Sequence, residues 1–128
     1  MYSILVRERK IMEIKELEKV EIPSVVELFC DVRLNQEKNE EGEKFEKEIN
    51  EAFGKDHLLI AKEDENTIGF SWSKIYVDME GNKVDKMIMV IIPTKRYGEG
   101  IGGALIEKER AYAQEKGIDI FDIEVGKL

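Results

Sequence analysis

The chain has 128 residues, 42% of them hydrophobic and 38% charged, and a net charge of −8. That length holds one domain with a real core and not two, and an acidic surface repels nucleic acid, which argues against DNA or RNA as a partner. With one cysteine and one histidine, no intrachain disulfide can form and no zinc site of clustered Cys and His can be built.

No apolar run approaches the roughly 20 residues of a membrane helix. Met1 to Val6 is too short and too poorly flanked for a signal peptide. A cytoplasmic protein is expected, with no membrane partner and no metal.

Ser3-Ile4-Leu5-Val6 reads either as a short strand or as part of an eleven-residue extension ahead of a start at Met12. Met12 to Leu17 alternates and predicts a strand, with Met12 and Ile14 on one face. Pro23 and Ser24 open a helix whose apolar stripe is Val25, Val26, Leu28, Phe29 and Val32. Cys30 lies in that stretch and reads as a small core residue. Leu34 to Gly42 is polar and predicts a loop. A second helix carries Phe45, Ile49 and Phe53 at four-residue steps, with Gly54 as its C-cap.

The period then changes to two. His57 to Lys62 predicts a strand, and its histidine reads as structural. Asp64-Glu65-Asn66 is a turn, and Thr67 to Asp78 is a longer strand with Ile68, Phe70 and Trp72 on one face. Trp72 is expected in the core. After the turn Glu80-Gly81-Asn82, Val84 to Ile92 completes an antiparallel meander. A helix follows from about Ile101 to Lys116, with Ile101, Ala104, Leu105, Ala111 and Tyr112 inward. Gly117 ends it. Ile118 to Val125 is a last strand whose apolar residues fall on both faces, the pattern of a doubly buried strand. The order β-α-α-β-β-β-α-β predicts a single α/β (α+β) domain with a mixed sheet. Its closing β-α-β unit is right-handed, which sets the last strand parallel to Val84–Ile92.

Four of the ten glycines lie between Gly98 and Gly103, where a strand gives way to a helix. A plain turn needs one glycine, and four cost backbone entropy. A glycine-rich entry to a helix exposes several backbone N–H groups at the positive end of the helix dipole, which is an anion site suited to phosphate. Gly98, Gly100 and Gly103 match G-x-G-x-x-G, with Asp122 or Glu124 about 20 residues on, so a dinucleotide-binding fold is a candidate. Pro93 to Tyr97 intervene between strand and first glycine, and too little chain follows for further β-α units, which count against it. The P-loop needs Gly-Lys-Ser or Gly-Lys-Thr, and neither is here.

The run Val90-Ile91-Ile92-Pro93-Thr94-Lys95-Arg96-Tyr97-Gly98-Glu99-Gly100-Ile101-Gly102-Gly103-Ala104-Leu105 resembles the strand, proline, Arg/Gln-x-x-Gly-x-Gly loop and helix of the GNAT superfamily of acetyl-CoA-dependent N-acetyltransferases. Thr67-Ile68-Gly69-Phe70 after an acidic turn and Ile123-Glu124-Val125 in the last strand are weaker matches. The resemblance spans residues 12 to 125. It implies that the coenzyme A pyrophosphate rests on the backbone of Gly98, Glu99, Gly100, Ile101, Gly102 and Gly103. It further implies that the pantetheine arm pairs like an added strand with Met89, Val90 and Ile91. A neutral primary amine would then attack the acetyl group directly, with backbone N–H groups holding the oxyanion.

The sequence departs from that pattern in three places. Tyr97 stands where the family has Arg or Gln, with Arg96 one place earlier, so a bulged loop is expected to aim Arg96 at phosphate. Met87 to Ile92 carries no general-base carboxylate. Asp85 lies at the strand's far end, which leaves Glu124 as the candidate base. Tyr76 and Tyr112 are possible proton donors, though packing accounts for both. The chain also stops before the family's closing helix and two strands. A homodimer covering the last strand is therefore expected, and the alternative to an enzyme is a non-catalytic acyl-CoA-binding or regulatory module.

Overall fold

A computed structural model describes residues 12–34 and 38–124. The expectations for the first eleven residues and for Val125 lie outside that range. Five strands form one sheet in the order β1-β2-β3-β4-β5: β1 (Met12–Glu16), β2 (His57–Glu63), β3 (Asn66–Val77), β4 (Lys83–Ile91) and β5 (Ile120–Ile123). The first four pair antiparallel in sequence, and β5 runs parallel to β4. This is the mixed α+β architecture that the element order predicts.

Helices α1 (Ile22–Phe29) and α2 (Glu40–Ala52) cover one face, and α3 (Ile101–Glu115) covers the other. Strand alternation divides β2 between them. Leu58 and Ile60 join Val25, Phe45, Ile49, Phe70 and Trp72 under α1 and α2, while Leu59 and Ala61 meet Ile101 and Leu105 of α3. Phe45 stacks on Phe29 and meets Phe70 and Trp72 edge-on. Cys30 is buried in this core, and the Trp72 indole N–H donates to Asp56 at 2.8 Å.

The α1 register continues from Cys30 to Leu34 as one π turn. The following helix begins earlier than the polar composition suggests. Asn39 caps it, its side-chain oxygen accepting from the N–H groups of Glu41 and Gly42, so Glu40 to Gly42 are helical rather than loop. A Cβ at Gly42 would stand 2.8 Å from the Cys30 sulfur, so the glycine lets α2 approach the π turn closely.

Two bulges overturn the simple alternation. Ala61 faces Gly69 and Lys62 faces Thr67, which leaves Ile68 as an extra residue in β3. Ile68 therefore packs toward α3 with Leu105, not beside Phe70 and Trp72 as its spacing predicts. In the same way Trp72 faces Met89 and Ser73 faces Met87, which makes Ile88 the extra residue of β4. Gly69 sits beneath α3, where a Cβ would come within 2.9 Å of the Ile101 side chain. That close approach holds the start of α3 against the sheet.

Two further expectations fail. The buried line of α3 is Ile101, Leu105, Glu109 and Ala113, while Ala111 is exposed. β5 is not buried on both faces: it is the sheet edge, with Ile120 and Ile123 each 41% exposed. The residues Ile118 and Asp119 lead into β5, with the Asp119 carboxylate and N–H bonding the Lys83 backbone.

Candidate active site

The glycine loop sits where the sequence places it. After β4, Thr94–Arg96 make one 3-10 turn, and Gly98 and Gly100 take φ near +85° before α3 begins. Gly100 is the N-cap residue, and no side chain caps the helix. The first-turn amides of Ile101, Gly102 and Gly103 therefore have no intrahelical acceptor and no side-chain one. The glycines at 98, 100 and 103 have open space where a side chain would stand, whereas a Cβ on Gly102 would meet Ile92 at 2.9 Å. Gly102 thus seats the helix on β4, and the others leave the amides accessible. Uncapped amides of this kind suit an anion.

Beside this loop, β4 and β5 part. Their parallel pairing runs from Val84–Ile120 to Met87–Ile123, and the Glu124 N–H closes it by donating to the Met87 carbonyl at 2.8 Å. Beyond that point no described residue pairs with β4 on the β5 side. Met89 and Ile91 turn their side chains to the α1 face and Val90 turns to α3, and among the described residues the backbone between them has no partner on the β5 side.

The other candidate residues are placed as follows. The Arg96 guanidinium is held by Glu63 at 2.8 Å and Glu99 at 2.9 Å. In this arrangement it braces the loop to the end of β2. Tyr97 is exposed. Glu124 is exposed and paired with Lys86. Tyr76 is exposed, and Tyr112 stacks on the His57 ring at 3.7 Å between centroids.

Asp85, set aside in the sequence because it lies at the far end of β4, is fully buried on the α3 side, two residues before the pairing ends. It faces Glu109 of α3, also fully buried. No donor among the described residues reaches either Asp85 oxygen or Glu109 Oε2. Burial first, and the Glu109 carboxyl second, push Asp85 up to about 8. On the other side of Glu109, Oε1 lies 2.6 Å from His57 Nδ1, and His57 Nε2 lies 3.1 Å from Glu16 Oε1. Burial pulls the imidazole down, but Glu109 and Glu16 together outweigh it and hold His57 above its ordinary value. The hydroxyls of Ser71 and Ser73, buried on β3, also lack partners. Asp85, Glu109, His57, Ser71 and Ser73 are thus five polar side chains taken from water.

Glu109 was missed because a charged residue reads as a solvated one. Its signal was present: it continues the Ile101–Leu105 four-residue step into the core line. Among the described residues there is no cluster of His, Cys, Asp and Glu suited to a metal ion, and no helix long and apolar enough to cross a membrane.

No family model matches the sequence, and no curated protein matches it either. Solved structures match over nearly its whole length. A ribosomal-protein-alanine N-acetyltransferase from Brucella melitensis biovar Abortus 2308 superposes with a TM-score of 0.77 at 15% identity, over 92% of this chain and 83% of that one. The fold is that of the GNAT superfamily. A GNAT family acetyltransferase from Staphylococcus aureus subsp. aureus USA300_TCH1516 gives 0.74 at 11% identity, over 91% and 87% of the two chains. A transcriptional regulator from Bacillus halodurans C-125 gives 0.72 at 19%, over 91% and 83%. The likeness to these structures is one of fold: a mixed five-stranded sheet with its helices.

Proposed function

We propose that this GNAT-fold chain transfers an acetyl group from acetyl-CoA to a primary amine by direct attack, as a cytoplasmic enzyme. The observation that carries the reading is the uncapped, glycine-lined start of α3 beside the point where β5 leaves β4. The pyrophosphate would accept from the amides of Gly98 to Gly103, and Arg96 would join it only by leaving Glu63 or Glu99. The pantetheine amides would pair with Met89, Val90 and Ile91 as a short extra strand. Ribosomal-protein alanine is the acceptor in the name of one structural neighbour, and here the acceptor class stays at the level of an amine.

Asp85 replaces Glu124 as the proton acceptor in this proposal. In its ionised form, populated as pH rises toward about 8, Asp85 would take the proton from an ammonium, whereas Glu124 is exposed and paired with Lys86. The reading also includes a homodimer in which a second copy covers the apolar edge of β5.

Calorimetric titration with acetyl-CoA and coenzyme A, with NAD as control, tests the binding. Micromolar affinity for the first two and none for NAD is the expected result, and no binding of acetyl-CoA defeats the proposal. An amine screen then separates an enzyme from an acyl-CoA-binding or regulatory module. In an active protein Asp85→Asn is expected to lower kcat by about 100-fold while acetyl-CoA still binds. Unchanged turnover would remove Asp85 from the mechanism.

A further inference from the structure

We propose that Arg96 is a positioning residue for the donor site: it holds the Glu99 carboxylate away from the open amides of α3 and so keeps the glycine loop free to receive an anion. The inference rests on the reading of that loop as the seat of the diphosphate. Its own support is the way the guanidinium is used. Nε donates to Glu99 at 2.9 Å, and the two terminal nitrogens donate to Glu63 at 2.8 and 3.4 Å. The backbone closes the same turn, with the Glu99 N–H donating to the Arg96 carbonyl at 3.4 Å. All three guanidinium nitrogens thus meet a carboxylate. One carboxylate comes from the end of β2 and the other from the loop itself.

An acidic residue is at odds with the rest of this loop. Glu99 stands one residue ahead of the N-cap Gly100, between two glycines at positive φ. The positive end of a helix draws a carboxylate placed there, and an orphan first-turn N–H takes an acceptor within reach. A released Glu99 would therefore compete for the amides of Ile101 to Gly103 and repel a phosphate. Yet no side chain caps α3, and Glu99 is turned back on Arg96 instead.

The two contacts are unequal. The Glu63 side chain is 15% exposed and that of Glu99 is 46% exposed. The two-pronged contact with Glu63 is the kind that fixes a guanidinium in place, and Glu99 is the more solvated partner. Glu63 thus anchors the arginine, and the arginine retains Glu99. Were Arg96 to turn to the phosphate, it would set one of these carboxylates free beside the anion, which works against the binding it would serve.

Exchange of the Ile101, Gly102 and Gly103 amide protons with water, read by NMR on the ligand-free protein, tests the inference without the donor. Arg96→Ala is expected to slow it as Glu99 takes the amides, and adding Glu99→Gln to that variant is expected to restore it. The same Glu99→Gln change with Arg96 present is expected to alter exchange less. Exchange unmoved or faster in Arg96→Ala, or an equal effect of Glu99→Gln in both backgrounds, overturns the proposal. Calorimetry with acetyl-CoA is the second arm. Arg96→Ala is expected to weaken binding roughly 10-fold, and Glu99→Gln to recover most of that loss, gaining more without Arg96 than with it. A loss that Glu99→Gln leaves in place means that Arg96 serves the phosphate directly, and it overturns the proposal. If Arg96→Ala does not fold, Arg96→Met takes its place with the same expected signs. A wild type that binds no acetyl-CoA defeats the functional reading instead, and amide exchange alone then judges the role of Arg96.

Discussion

Asp85 has a pKa raised well above its unfolded value, from 3.8 to about 8. The folded protein therefore holds a proton that the unfolded chain gives up between those limits. That stability is fully present below the unfolded value and is lost as pH rises through about 8. His57, also raised, acts in the same direction. The thermal midpoint of the wild type is expected to fall between pH 5 and pH 9 more steeply than that of Asp85→Asn, whose amide cannot ionise. Parallel pH slopes in the two proteins would show that Asp85 does not titrate as described. The sequence displayed the glycine loop because glycines are read one by one. It concealed Asp85 and Glu109 because burial of a carboxylate depends on its partner, which lies 24 residues away along the chain.

At the scale of the element, the strands and helices were legible through their periods, and the errors have local causes. The bulge at Ile68 shifts one residue to the opposite face, which no alternation count can anticipate. The start of α2 was hidden by its own composition, since Glu40, Glu41 and Glu43 look like loop but suit a helix N-terminus. The cap is testable there. Asn39→Ala removes the acceptor for two backbone N–H groups and is expected to cost about 1 kcal/mol of stability, read from the urea midpoint. No change would mean that water caps α2 as well as Asn39 does. β5 was misjudged because its apolar residues predict burial on both faces, whereas its place at the sheet edge leaves both faces thinly covered.

At the scale of the whole molecule, apolar side chains stand exposed on β3 and on the edge strand β5. Val77 is 64% exposed, and Ile120 and Ile123 lie on the edge strand. An open edge with apolar side chains invites pairing with another chain. Sedimentation equilibrium at micromolar concentration is expected to give a dimer, and Ile123→Lys is expected to shift it toward monomer. A wild-type monomer would remove the dimer from the proposal.

Helix α3 carries the anion-facing amides at one end and Glu109 two turns further along. Ile101 to Glu109 is a rise of about 12 Å along a rigid rod. A rod transmits displacement. A displacement of the first turn of this rod would therefore be carried to the 2.6 Å contact between Glu109 and His57, so the proposed donor site and the buried His57 would be mechanically joined through one helix.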